Sequence, residues 1–210
     1  DLLKVIDDKF AQKFDFQNIL RRIDGIDTCQ KETNAPFDDN KFEKELLKKV
    51  HRTIENPNSP VKVNTEISNL NRSFGALISG EIARFYGDKG LPENSITINL
   101  KGIAGQSFGA FLSKGMNLYL DGAANDYVGK GMNGGKIIIN PVHQGKDFAG
   151  AGNTCLYGAT GGKLYIRAAV GERFAVRNSG CTSVVEGTGD NACEYMTGGI
   201  VVILGNTGRS

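Results

Sequence analysis

The sequence has no apolar run near 18 residues and no charged-then-apolar leader, so the reading expects neither a membrane span nor a signal peptide. Neither sign of charge dominates. Twenty-five Lys and Arg stand interspersed with 23 Asp and Glu, for a formal net charge of +2, which leaves no basic stripe for nucleic acid and no patch for a membrane surface. Cysteine is scarce: Cys29, Cys155, Cys181 and Cys193 show no CxxC spacing, and the two histidines, His51 and His143, complete no ligand pattern. That argues against a zinc site or a thioredoxin-like motif and for buried thiols in a reducing compartment. Glycine is almost missing from the first part of the chain, where Gly25 is the one glycine before residue 71, and no proline follows Pro141. The first residue is Asp1 rather than Met, which reads as a processed chain or a piece of a longer one.

What the second part does contain is a repeat. In NDYVGKGMNGGKIIIN (Asn125 to Asn140), LYGATGGKLYIRA (Leu156 to Ala168) and EYMTGGIVVILG (Glu194 to Gly205), a Gly-Gly pair precedes four or five residues of strong strand preference. The pairs are Gly134-Gly135, Gly161-Gly162 and Gly198-Gly199. Weaker copies are SITINLKG, KGMNLYLDG and SGCTSVVEG, so strands are expected to begin near Ile96, Met116, Lys136, Lys163, Thr182 and Ile200, at intervals of 20, 20, 27, 19 and 18. Short strands and glycine-rich corners at a period near 20 predict a mainly β fold of solenoid type, a right-handed parallel β-helix. Six such strands stacked about 4.8 Å apart would make a column on the order of 24 Å long. Side chains alternate inward, as at Ile137 and Ile139, Leu164 and Ile166, and Val201 and Ile203. The glycines assigned to corners are Gly129, Gly131, Gly134, Gly135, Gly158, Gly161, Gly162, Gly187, Gly189, Gly198 and Gly199. The long interval holds PVHQGKDFAGAG (Pro141 to Gly152), an insertion leaving the coil.

The domain reading sets residues 1–60 apart as a helical N-terminal linker segment and gives 61–210 to the repeat domain. Leu2, Leu3, Ile6 and Phe10 recur at helical spacing. Asn40 with Glu43 has the form of a capping box, followed by Phe42, Leu46, Val50 and Ile54 on one face, and Asn56-Pro57 ends that helix. VKVNTEI (Val61 to Ile67) reads as a strand entering the repeats, and Gly75 to Tyr86 as a helix capped by Gly87.

Several patterns resemble chemistry without its context. GKGMNG (Gly129 to Gly134) is literally GxGxxG, but a dinucleotide turn needs a strand before and a helix after, and here a strand follows. Asp121, Asp126, Glu186, Asp190 and Glu194 do not match a calcium repeat or recur at one register, and read as solvated or corner-capping. Cys155 and His143 flank the insertion, yet a dyad would need an orienting third group and a donor-lined pocket. Arg84, Arg167, Arg173 and Arg177 read as surface or corner ion-pair residues. No catalytic, cofactor-binding or metal-binding residue is assigned.

The runs SGEIARFYGDKGLPE, GIAGQSFGAFLSKGM, ANDYVGKGMNGGKI, AGNTCLYGATGGKLY, VGERFAVRNSG and VVEGTGDNACEYMTGGIVVILGNTGR resemble the C-terminal GXGXG domain of glutamate synthase. The likeness is strongest from Arg72 to Arg209, and Ile23 to Phe37 resembles the linker before that domain. It implies a right-handed β-helix packed against a glutaminase domain and an FMN-binding barrel of the same polypeptide, which form glutamate from glutamine and 2-oxoglutarate. The parent enzyme would use FMN, a 3Fe-4S cluster and NAD(P)H or ferredoxin, none of them held by residues of this chain. The family continues past GNTGRS into an FGAGM-type stretch, so the domain is expected to be truncated at its C-terminal end and the isolated fragment to associate end to end. The role implied is a non-catalytic scaffold, cytoplasmic or in a plastid. A stand-alone polysaccharide-active β-helix enzyme and a binding subunit like that of formylmethanofuran dehydrogenase are the alternatives left open.

Overall fold

The computed structural model describes residues 9, 13, 15–21, 24–25, 31–33, 40–142 and 149–209. Leu2, Leu3, Ile6 and Phe10, on which the expected N-terminal helix rests, lie outside them, as do Cys29 and His143. The chain divides into two units, Asp1–Asp39 and Asn40–Ser210. In the first, one short helix, α1 (Gln17–Leu20), starts where the Gln17 N–H donates to the Asp15 carboxylate at 2.9 Å.

The second unit opens with α2 (Lys41–Glu55). Its apolar residues fall four apart, so Leu46, Val50 and Ile54 share one face and are buried, while lysines and glutamates cover the other. The face packs on α3 (Ala76–Tyr86), and the Tyr86 hydroxyl donates to the Ile54 carbonyl at 2.6 Å. Asn56, before Pro57, leaves helical geometry at φ −130 and ends α2, as a residue before proline is biased to do.

The capping box does not form. Asn40 sits at φ 50 and its side chain caps nothing in α2. Glu43 instead turns away from its own helix and is almost fully buried, with one carboxylate oxygen accepting from the N–H groups of Gly75 (3.0 Å) and Ile78 (3.1 Å). It therefore satisfies the open N-terminus of α3, 32 residues downstream, and an acidic group suits the positive end of that helix dipole. Burial pushes its carboxyl above the usual carboxylate range despite those bonds.

After α3 comes one short 3-10 turn, Gly87–Lys89, and the other described elements are strands: β1 (Val61–Ile67), β2 (Ile96–Ala104), β3 (Met116–Ala124), β4 (Asn133–Asn140), β5 (Ala149–Ala151), β6 (Gly161–Val170), β7 (Ser179–Thr188) and β8 (Gly198–Ile203). They form one parallel sheet in the order β1-β2-β3-β4-β6-β7-β8, with β5 alongside β6. The unit is thus mainly parallel β with two long helices at its start. Register agrees with the repeat: Ile96 faces Met116, Lys136 faces Lys163, Lys163 faces Thr182 and Thr182 faces Ile200. One interval is shorter than expected, because Asn117 rather than Met116 faces Lys136. The strand from Val61 joins as a full member, in register with Ile96. The long interval between β4 and β6 contains β5, whose Ala149 and Ala151 pair with Ala169 and Val170.

Because side chains alternate across a strand and the strands are in register, like positions stack. One inward column runs Val63, Ile98, Leu118, Ile137, Leu164, Ser183 and Val201. From Ile98 to Ser183 every member is buried. Ser183 is the polar member, and its hydroxyl has no partner among the described residues. The outward neighbours form two further columns. One includes Asn117, Lys136, Lys163 and Thr182, and the other Tyr119, Ile138, Tyr165 and Val184.

Candidate functional site

Between strands the chain turns through a five-residue corner whose first, third and fifth residues all have positive φ. These are Ser107, Gly109 and Phe111; Tyr127, Gly129 and Gly131; Thr154, Leu156 and Gly158; Arg173, Ala175 and Arg177; Asn191, Cys193 and Tyr195, all between 54 and 68. The left-handed residues bond to neighbouring corners in alternation. The first donates onward, as from Tyr127 to the Asn153 carbonyl (2.9 Å) and from Arg173 to Asp190 (2.8 Å). The third donates back, from Gly129 to Phe108 (2.9 Å) and from Ala175 to Cys155 (2.8 Å), and the fifth donates onward again, from Gly131 to Tyr157 (2.8 Å). The second residue points into the core: Phe108, Val128, Cys155 and Phe174 are all buried there, and Phe74, in the turn before α3 where Ser73 and Gly75 also have positive φ, stacks on Phe108 with centroids 5.9 Å apart.

That ladder explains what the glycines and the GxGxxG do. Gly129, Gly131 and Gly158 lie in corners at positive φ, and Gly135, Gly162 and Gly199 hold φ 70, 91 and 85 just inside β4, β6 and β8. Gly134, Gly161 and Gly198 precede them at ordinary φ, as do Gly187 and Gly189 near the end of β7. At Gly135 and Gly162 the constraint is space as well as φ. A Cβ on Gly135 would lie 2.6 Å from the Met116 carbonyl oxygen, and one on Gly162 2.5 Å from that of Gly134. In Gly129 to Gly134 the N–H groups of Gly129, Gly131 and Gly134 are bonded to Phe108, Tyr157 and Leu112. None is left for a phosphate, and β4 follows where a nucleotide turn needs a helix.

The acidic residues are corrected in one respect. Asp126, Glu172 and Asp190 do share a register, each directly before the first left-handed residue of a corner. Asp126 accepts the Asn153 N–H at 2.8 Å and Asp190 the Arg209 N–H at 2.7 Å, while Asn153 accepts from Glu172 in the same manner. They cap corners. The signal was available in the sequence, but it becomes visible only once SFGALI, SFGAFL, YVGKGM, TCLYGA, RFAVRN and NACEYM are aligned as one motif.

Arg84 makes a two-point ion pair with Glu81, at 2.6 and 3.0 Å. Arg173 and Arg177 are corner residues instead. Burial pushes the thiols of Cys155 and Cys181 up to about 12 and raises that of Cys193. Among the described residues no three His, Cys, Asp or Glu side chains gather where a metal ion could be held. The glycine-bound backbone likewise does not fit a flavin phosphate.

Two grooves open on the outward side of the sheet. A cleft of about 430 Å³ is floored by Gly134, Gly135, Gly161 and Gly162 and edged by Lys114, Lys136, Lys163 and Glu93. Asn117, also on its wall, holds Asn94 by a 2.9 Å hydrogen bond. Beside it, a shallower groove of about 600 Å³ is lined by Ile138, Tyr165, Val184 and Leu204. Sequence reasoning missed both, since cross-strand neighbours 27 residues apart are not adjacent in any local pattern.

A parallel sheet joined by left-handed, glycine-bearing corners defines a class, and comparison with known families agrees: the model described as "GXGXG motif" matches residues 39–210, and the chain belongs to that family. The curated relatives narrow it to the GXGXG domain of glutamate synthases. The chain is 46% identical over 204 residues to the NADPH glutamate synthase large chain of Bacillus subtilis, covering 95% of this chain and 13% of that one. It is 50% identical over 174 residues to the NADH glutamate synthase of Schizosaccharomyces pombe, covering 81% and 8%. With ferredoxin-dependent glutamate synthase 2 of Synechocystis it shares 58% over 146 residues, covering 68% and 9%. The chain therefore spans about a tenth of the length of these relatives.

Proposed function

We propose that this chain is a non-catalytic scaffold of a glutamate synthase, its sheet one wall of a right-handed parallel β-helix that holds the glutaminase and FMN-binding domains at a fixed separation. The observation that carries this reading is the corner ladder. Its donors are spent between neighbouring corners, so the repeat that most resembles a nucleotide site works as a spacer. The buried thiols and the corner-capping acids Asp126 and Asp190 support it in the same way, because each is engaged in holding the fold. A polysaccharide-active site would call for such acids to be open to substrate.

On this reading the parent enzyme forms glutamate from glutamine and 2-oxoglutarate with FMN and a 3Fe-4S cluster in its other domains. The relatives are NADPH-, NADH- and ferredoxin-dependent enzymes, some of them chloroplastic, and donor and compartment follow the parent. The purified chain should be colourless, should release no ammonia from glutamine and should not oxidise a reduced nicotinamide with 2-oxoglutarate present. A stoichiometric flavin, or either turnover, would overturn the reading.

A further inference from the structure

We propose that the outward face of β3, β4, β6 and β7 docks an acidic segment of the longer polypeptide, carboxylates entering the lysine cleft and apolar side chains covering the groove beside it. This rests on the scaffold reading and names the surface through which it would act. Lys136 and Lys163 are direct register partners on adjacent parallel strands, which places their backbones roughly 4.8 Å apart. Like charges placed opposite each other in a sheet repel. Lys114 adds a third ammonium at the same cleft, and none of the three has an ion pair among the described residues. Gly134, Gly135, Gly161 and Gly162 line the cleft without side chains of their own, and Glu93 stands on its wall beside the lysines.

The next outward column supplies the other half. Ile138, Tyr165 and Val184 are half-buried along the neighbouring groove, giving an apolar strip with the lysine cleft on one side and Asn140, Arg167 and Glu186 on the other. That is the composition of a protein interface with a desolvated centre and a charged margin that selects the partner by sign. The partner chemistry that fits is an Asp- or Glu-bearing segment with apolar residues beside the acids. Its source follows from length, since close to nine-tenths of each matched relative lies outside the segment represented here.

The test uses the full-length enzyme. Zero-length carbodiimide coupling at neutral pH, followed by peptide mapping, should join Lys136 or Lys163 to an Asp or Glu outside residues 1–210. Acetylation of both lysines should run at least tenfold slower in the native enzyme than after urea unfolding. Replacing Lys114, Lys136 and Lys163 together by Gln should abolish the cross-link. Coupling to a carboxylate within residues 1–210 or of a second copy would overturn the proposal, as would acetylation at the unfolded rate or protection that appears only with added phosphate. Free lysines in an enzyme that still loses coupling when the domain is removed would sink this proposal and leave the scaffold reading standing.

Discussion

The corner at Tyr127–Gly131 and the corner at Arg173–Arg177 have nearly the same backbone, with φ 63, 65 and 62 in one and 59, 57 and 57 in the other. The first is built with two glycines and the second with none. A left-handed residue with a side chain costs on the order of 1–3 kcal/mol, and it persists only where its surroundings over-determine it. Here the ladder does so, since in both corners each left-handed N–H is held by a backbone carbonyl of an adjacent turn at 2.8–2.9 Å. Positive φ alone therefore does not demand glycine in this fold. At Gly135 and Gly162 the neighbouring backbone occupies the place of a Cβ, and glycine is required by space.

That distinction can be broken at its strongest point first. Gly162→Val adds a β-branched side chain at φ 91 against the Gly134 carbonyl, and should destabilise by about 2–4 kcal/mol through strain and overpacking. A shift in urea midpoint no larger than that of an exposed strand substitution such as Lys163→Ala would show that the contact yields.

Next in size is the helix end served by Glu43. Glu43→Ala leaves two buried N–H groups unpaired and should cost about 1–3 kcal/mol. Glu43→Gln can keep both bonds, because both fall on one oxygen, while removing the titration. Burial places the folded-state value of this carboxyl above its unfolded one, so its favourable contribution is complete below the unfolded value and fades as pH rises through the raised one. Urea midpoints measured from about pH 4 to 8 should move in favour of the Gln variant as pH increases. A constant difference would mean that burial does not raise the Glu43 carboxyl above its unfolded value.

The smallest effect separates the two corners directly. Gly129→Ala should cost about 1 kcal/mol, its Cβ meeting Leu156 and Met132 at 3.0 Å, whereas Arg173→Gly should stay within about 0.5 kcal/mol of the parent chain. Equal losses at the two sites would mean that the ladder does not carry the non-glycine corner.

The sequence made the strands legible because β-branched runs and glycine pairs are local signals, and the register they implied at Lys136, Lys163, Thr182 and Ile200 is the one observed. The corners were only half legible. Searching for glycine finds Gly129 and Gly158 but passes over Arg173, Ala175 and Cys193, which hold the same conformation by hydrogen bonding to adjacent turns. Asn40 and Glu43 satisfy the local rule for a capping box, and a buried helix end 32 residues away competes successfully for the carboxylate. The pairing of Lys136 with Lys163 follows from the repeat, whereas Lys114 joins them from a turn before β3 that no strand pattern marks.

The central claim is that this domain fixes distance rather than performing chemistry, and it is tested most directly by a paired assay on the full-length enzyme with and without the segment corresponding to residues 40–210. Glutaminase turnover and glutamate formed are measured in the same sample. The account predicts that removal leaves glutamine hydrolysis running while glutamate formed per glutamine consumed falls severalfold. A folded, truncated enzyme that still converts each glutamine into glutamate at the original ratio would contradict it.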